Sequence, residues 1–313
     1  MRTLLLTCLA STLVLSSFVP KKKNKVKLPE EFAFIPQGSY YTATPEEDPY
    51  YYGRSKTIKP MDSSKIISAG NFYMSKYEVS NLQYRNFFNE VAPGLTGEEV
   101  KKIICDSTGW NNRPYSYGEP MVLHYYTHPA FNNYPMVNVS YEGAMKYCEW
   151  LQSTIQKDNP DFIIEVKLPE REQWRWAAMG GRAQAMFPWT NYYLRNKKGE
   201  LMCNFRKIED WNVYRNRTTG EAEVADRYYA GSVSLSDKVY YTANVKSFYP
   251  NDYGLYNMCG NAAEMISEKG ICVGGSWNDY GGDVHIRAEA TYDRSAVTVG
   301  FRPIIIAKEK KQE

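Results

Sequence analysis

Between residues 182 and 300 the chain carries no long segment of helical or strand periodicity. Short apolar runs alternate there with bends marked by Gly and Asn. A stretch of that length cannot bury a face of its own as a long helix or strand does. It needs bracing by metals, disulfides or a partner. Any regular framework must come from the rest of the chain, and the bracing groups have to be sought inside the irregular part.

The framework is readable. The segment 32-FAFIPQGSYY-41 reads as strand and turn, and 42-TATPEEDPYYYGRSK-56 as a polar loop. A strand is expected within 71-NFYMSKYEVS-80. Ser80 then caps a helix over 81-NLQYRNFFNEV-91, where Leu82, Phe87 and Val91 recur at near-helical spacing. Residues 105–135 are rich in Tyr, Asn and Pro and read as loops. The clearest helix is 141-YEGAMKYCEWLQSTIQ-156, capped by Ser140, with Ala144, Tyr147, Cys148 and Leu151 on one face. A second starts at Pro169, runs through 170-EREQWRWAA-178 and stops at Gly180-Gly181.

The N-terminus, MRTLLLTCLASTLVLSSFVPKKK, reads as a secretory signal over residues 1–20: Arg2, an apolar run from Leu4 to Val19, then small residues at Ser16 and Ser17. An uncleaved anchor is the alternative, and Leu5-Leu6-Thr7-Cys8 is a poor lipobox because little apolar sequence precedes Cys8. Residues 21–31 form a basic tether with Lys21, Lys22, Lys23, Lys25 and Lys27, suited to lying near anionic lipid. Removing those lysines and Arg2 takes the formal charge from +3 to −3, so the body lacks the clustered basic face that nucleic acid requires. The domain is expected over 32–306, with a charged tail at 307–313. Once Cys8 leaves with the signal, Cys105, Cys148, Cys203, Cys259 and Cys272 remain, an odd number without a CxxC pair. Export permits a disulfide, and Cys259 and Cys272 are the pair closest in sequence, but buried free thiols are the simpler expectation. The 27 tyrosines suit a loop-rich surface sealed by half-buried rings, or a binding face for protein or glycan.

Five stretches in order resemble one known family. They are 72-FYMSKYEVSNLQYRNF-87, 134-YPMVNVSYEGAMKYCEWL-151, 167-KLPEREQWRWAAMGG-181, 254-GLYNMCGNAAEM-265 and the closing 274-GGSW…GFRP-303. Together they resemble the formylglycine-generating enzyme, or sulfatase-modifying factor, family over roughly Phe32 to Ile304. The resemblance implies an α+β fold related to C-type lectins, loop-rich, with small antiparallel sheets and a few helices. Residues 105–144 are similar to the gliding-motility lipoproteins, non-enzymatic members tied to type IX secretion at the outer membrane. That likeness is looser, resting on the tryptophan, the His-Pro and the Tyr-Pro-Met-Val.

The resemblance also implies sites. A calcium ion would take the side chains of Asn257 and Glu264 and the carbonyls of Gly260 and Ala262, a hard oxygen set of the kind calcium prefers. A second would take Asn204, the Phe205 carbonyl, Asp237 and the Val239 carbonyl. Both would brace loops. The oxidase branch needs two copper(I)-binding thiolates, and the matching positions here are Asp279 and Val284, neither of which supplies sulfur. No copper is therefore expected, and Cys272, ahead of the Gly-Gly, is expected on another part of the fold. Iron-dependent relatives use histidines, but His124, His128 and His285 show no three-ligand pattern. Arg302 reads as a core arginine that satisfies loop carbonyls or a carboxylate.

The expectation is therefore an exported, non-catalytic protein, periplasmic or associated with the outer membrane, with envelope or outer-membrane proteins as partners. A ligand-display role, centred on the polar loop 277-WNDYGGD-283, is the alternative. A divergent formylglycine-generating or iron-dependent oxidase using His124 and His128 is the other.

Overall fold

The computed structural model describes residues 25–41, 66–111, 118–183, 185–207, 213–224 and 241–310. The signal-like segment lies outside these residues, as does the whole of the polar loop at 42–56. The first sheet is built from strands far apart in the chain. Strands β1 (Phe32–Ile35) and β4 (Phe72–Ser75) pair antiparallel, and β12 (Ile304–Glu309) lies between β4 and β5 (Phe162–Lys167). Side chains alternate across this sheet, as the two-residue strand period requires. Phe162, Ile164, Val166 and Ile305 enter one core cluster with Tyr147, Cys148 and Ile155 of helix α4 (Tyr141–Asp158). Ala33, Ile35, Phe72, Met74 and Ile304 enter a second cluster on the other face, with Trp174, Trp176 and Met179.

A second small sheet has the order β10 (Glu289–Thr291), β9 (Ile271–Val273), β8 (Ala263–Met265) and β11 (Val299–Gly300). Its pairs are antiparallel except β11 with β8, which is parallel. Two hairpin-like pairs complete the strands, β2 (Gly38–Tyr41) with β3 (Ile66–Ala69), and β6 (Val213–Arg215) with β7 (Ala222–Val224). The architecture is α+β and loop-rich.

The helices follow their local signals. In α1 (Asn81–Val91), Ser80 Oγ accepts from Gln83 N while the Gln83 side chain accepts from Ser80 N, a reciprocal cap. In α4 (Tyr141–Asp158), Ser140 Oγ accepts from Gly143 N. Helix α5 (Arg171–Met179) ends on Gly180 in the left-handed conformation, as expected. Its start differs from the sequence reading. Glu170 is the cap, with Gln173 accepting from its N–H, so Pro169 stands outside the helix.

The structure contains two short helices that periodicity does not reveal, α2 (Gly97–Ile103) and α3 (Gly118–His124). At seven residues each they offer too few turns for an apolar repeat. Helix α2 does carry a cap signal, Thr96 with Glu99. Helix α3 corrects the loop reading of 105–135. It is held from outside, for a side chain at Gly118 would overlap the Trp110 carbonyl.

Two expected boundaries also shift. Strand β12 runs to Glu309, three residues past the expected domain end. The tether is packed over its later residues: Val26 and Leu28 lie against the core, and Lys27 exchanges two backbone hydrogen bonds with the Asn159 side chain.

Candidate functional site

Arg302 leaves β11 and enters the centre of the molecule, where it is fully buried. Its Nε is 2.8 Å from both oxygens of Glu264, and one terminal nitrogen is 2.6 Å from Oε1. The rest of the guanidinium donates to the carbonyls of Ser75, Lys76 and Tyr256 at 3.1, 3.2 and 2.7 Å. Arg302 thus satisfies a carboxylate and three loop carbonyls, which its fixed fork of donors makes possible. Trp174 Nε1 donates to the other side of Glu264 at 2.7 Å.

A second carboxylate, Glu78, is buried beside this pair. It follows β4 and immediately precedes the approach to the α1 cap. Its Oε1 accepts from Asn261 Nδ2 at 2.8 Å and its Oε2 from Asn257 Nδ2 at 3.1 Å. Burial pushes its pKa up to about 7; Arg302 opposes the shift and Glu264 adds to it. Asn257 and Asn261 both sit at left-handed φ, 51° and 64°, a conformation that Asn tolerates better than most residues. Asn257 also donates to the Val245 carbonyl. Asn261 Oδ1 accepts from Ala243 N and from Asn204 Nδ2. Asn204 in turn donates to the Tyr241 carbonyl, and its own carbonyl accepts from Asn261 N. These amides join segments 203–205, 241–245 and 257–264, which have no sheet in common.

Of the first expected calcium set, Asn257, Gly260, Ala262 and Glu264 are all buried within this one turn and the start of β8. Gly260 has φ 75°, and a side chain there would overlap the Asn204 carbonyl, so the turn needs glycine. Asn257 Oδ1 is buried without a hydrogen-bond partner. Two carboxylates share one guanidinium beside it. An orphaned amide oxygen beside two buried carboxylates that share one guanidinium fits a hard cation. Of the second set, Asn204 and Phe205 are placed, while Asp237 and Val239 lie outside the described residues. Among the described residues no three His, Cys, Asp or Glu side chains gather as a metal-binding group. A cation at Asn257 would therefore draw on amide and carbonyl oxygens as well as a carboxylate.

The closing loop hangs from the same turn, because Trp277 N donates to the Asn261 carbonyl. Asp279 is folded back on the loop. Its Oδ2 accepts from Ser276 N at 2.7 Å and from Ser276 Oγ at 2.6 Å, and its carbonyl accepts from Arg206 N. Burial raises its carboxyl above the ordinary range, partly offset by the Ser276 bonds. Val284 is fully buried. Cys272 on β9 is nearer this loop than expected: after burial, the Asp279 charge is the next influence on its thiol, which is pushed up to about 12. That thiol stays protonated and donates weakly to the Ala290 carbonyl. The five cysteines of the described residues are all free, Cys259 and Cys272 included.

His124 ends α3, and His128 caps the turn at Pro129–Phe131 by accepting from Ala130 N through Nδ1. The two do not share a helix. Trp277 is likewise not a display residue. It is buried among Trp110 and Tyr241, with ring centroids at 6.1 and 5.1 Å.

The sulfatase-modifying factor enzyme 1-like domain model matches residues 17–307. The chain belongs to that family. It is 28% identical to the formylglycine-generating enzyme of Bos taurus over 66% of this chain and 50% of the relative. It is also 25% identical to the inactive C-alpha-formylglycine-generating enzyme 2 of Bos taurus, over 54% of this chain and 49% of the relative. The chain thus spans about half the length of the curated relatives it matches. The solved structure of PvdO from Pseudomonas aeruginosa superposes with a TM-score of 0.54 at 16% identity, covering 88% of this chain and 93% of that one, which shows the fold alone. The family includes enzymes and members named inactive, so membership leaves catalysis to be argued from the closing loop.

Sequence reasoning missed Glu78. It stands in the quoted stretch FYMSKYEVSN, where a charged residue between Tyr and Val reads as a surface position. Its only local signal is that apolar residues flank it on both sides.

Proposed function

We propose that this protein is a non-catalytic member of the sulfatase-modifying factor family that serves as a structural, protein-binding subunit of a bacterial cell envelope. One observation carries the reading. The two positions that would bear the copper thiolates hold Asp279, bonded back to Ser276, and Val284, buried in the core. Neither is a soft ligand. The nearby Cys272 thiol, held protonated by burial, does not replace them. The similarity to a relative named inactive is in keeping with this.

The signal-like N-terminus supports export, to the periplasm or the outer-membrane surface, and the likeness of residues 105–144 to gliding-motility lipoproteins supports an assembly such as the type IX secretion machinery. Among the described residues no helix is long and apolar enough to cross a membrane. Calcium is the proposed bracing ion, held by Asn257, Glu264 and the carbonyls of Gly260 and Ala262, with Asn204, Phe205, Asp237 and Val239 as a second set. When bound it would supply charge balance and loop cross-linking.

The test has two arms. The purified protein, given copper(I), oxygen and a cysteine-containing peptide, is expected to leave the cysteine unchanged by mass spectrometry. In-cell crosslinking is expected to recover envelope proteins. Oxygen-dependent conversion of the peptide cysteine to an aldehyde would overturn the non-catalytic reading.

A second reading, display of a surface for a protein or glycan ligand, is favoured by a different observation. Tyr192, Tyr193 and Tyr249 are 62, 70 and 46% exposed. The loop of Tyr192 and Tyr193 lies beside the closing loop, since Leu194 abuts Gly281, and Tyr249, on a separate segment, donates to Glu200. A glycan array with specific hits that are lost in Tyr192→Ala and Tyr193→Ala would favour this reading over assembly.

A further inference from the structure

The packed part of the tether joins the body at the C-terminal end of α4. Lys27 N donates to Asn159 Oδ1 at 2.7 Å, and Asn159 Nδ2 donates to the Lys27 carbonyl at 2.8 Å. Asn159 is buried and caps α4, so this pair of bonds fixes where the tether lies. The end of β12 reaches the same place. Lys308 stands opposite Ile163 in the sheet and Glu309 opposite Phe162, and Lys310 N donates to the Asp161 carbonyl at 2.9 Å. Segments 25–27, 157–163 and 308–310, distant in sequence, thus share one end of the molecule.

That end is basic. Lys25, Lys27, Lys157, Lys308 and Lys310 are all exposed there, against the acids Asp158, Asp161 and Glu309. In the chain, Lys21, Lys22 and Lys23 come shortly before the first segment, and Lys311 directly follows the last. The remainder of the sequence holds more acidic than basic residues, so positive charge is gathered at one pole. Every cation of the pole is lysine. Lysine carries a compact, hydrated charge on a flexible stem and lacks the planar fork with which arginine grips one phosphate or carboxylate. Such a group suits a diffuse field of negative charge, which a surface of anionic lipid provides. Two further observations favour lipid over an acidic protein or nucleic acid. The apolar run Leu4–Val19 is joined to the chain just ahead of Lys21. Ile163, opposite Lys308, is 56% exposed, which sets an aliphatic side chain among the cations.

We infer that this lysine pole is a docking surface for an anionic bilayer. The tether by itself is suited to lying near anionic lipid; the fold adds cations from α4 and β12 and so sets which end of the domain faces the membrane. The inference goes beyond the envelope reading, and it needs an anionic membrane whether or not the domain is catalytic.

The experiment is sedimentation of the full chain with vesicles of mixed phosphatidylglycerol and phosphatidylcholine, or of phosphatidylcholine alone, at low and high salt. The unmodified protein is expected to favour the anionic vesicles at least about tenfold and to lose that preference at high salt, where exposed charges are screened. Lys308→Gln with Lys310→Gln is expected to weaken binding to anionic vesicles at least about tenfold, and Lys25→Gln with Lys27→Gln by a similar factor. Lys146→Gln with Lys269→Gln makes the same change in net charge elsewhere. Lys146 stands about 16 Å along α4 from Lys157, and Lys269 is bound to Glu142, a turn further on. That is about two Debye lengths at physiological salt, so this control is expected to bind within about twofold of the unmodified protein. All six lysines are exposed, and thermal melts check that each variant folds. Equal binding to both kinds of vesicle would mean that the apolar run alone drives contact, and overturns the inference. A loss confined to the Lys25 and Lys27 pair overturns it, because the tether would then act without the fold. An equal loss in the control overturns it as well, because net charge alone would then decide. Binding to neither vesicle overturns it and assigns the pole to an acidic macromolecule. Oxidation of a peptide cysteine by the protein would sink the non-catalytic reading and leave this inference standing.

Discussion

Arg302 is the clearest case of one side chain acting on several segments. It neutralises Glu264 and caps carbonyls from the end of β4 and from Tyr256, all inside the protein. Removing one partner of such a pair leaves the other charged and unpaired. Arg302→Ala is expected to destabilise the fold by about 3–5 kcal/mol in urea denaturation. Arg302→Lys should recover only part of this, because a single ammonium cannot chelate Glu264 and reach the carbonyls. Asp279 makes a different prediction. Its raised pKa means that the folded state holds this proton to higher pH than the unfolded chain does. Its contribution to stability therefore declines as pH rises from the ordinary carboxylate range, about 4, through the raised value. Asp279→Asn keeps an acceptor for Ser276 without the charge. Measured against the unmodified protein, it should gain stability between about pH 3 and pH 7. An equal difference at both pH values would show that Asp279 titrates normally.

Elements with local signals formed where those signals lay. Ser80, Ser140 and Gly180 mark helix ends in both sequence and structure. For α1 the reciprocal cap at Ser80 and Gln83 predicts that Ser80→Ala costs about 1 kcal/mol, read from the urea midpoint at unchanged slope. A cost near zero would mean that tertiary packing alone holds the helix start. The elements that were not readable are the short ones. Helix α3 exists because Gly118 allows its first turn to approach the Trp110 carbonyl, a contact invisible in periodicity. The second sheet was no more readable. Its strands are two or three residues long, too short for alternation to register.

The molecule as a whole is closed by its last strand. Strand β12 is an interior strand, paired with β4 on one side and β5 on the other, and Ile304 and Ile305 face opposite core clusters. Deleting residues 304–313 would strip hydrogen-bond partners from both neighbours and open both clusters. That truncated chain is expected to lose its cooperative thermal transition and the near-ultraviolet signal of its buried tryptophans. Retention of both would show that the first sheet closes without β12. The fold class, its order of motifs and the residues at the positions where the resemblance implies thiolates were all readable from short stretches of the chain. Asp279 and Val284 are identified by spacing from Gly274-Gly275-Ser276, and spacing is a one-dimensional property.

The buried cluster was readable only in part. Asn257, Gly260 and Glu264 lie in one turn, so the resemblance could point to them. That Glu78 belongs with them could not be read, since it is 179 residues from Asn257. A glutamate in a short segment looks the same whether it faces water or an asparagine amide. Sequence carries local propensity, caps and spacing, because these depend on neighbours along the chain. Which polar groups are withdrawn from water, and which are left without a partner, depends on neighbours in space, and for Glu78 and Asn257 Oδ1 that was settled only when segments 179 residues apart met in the folded chain.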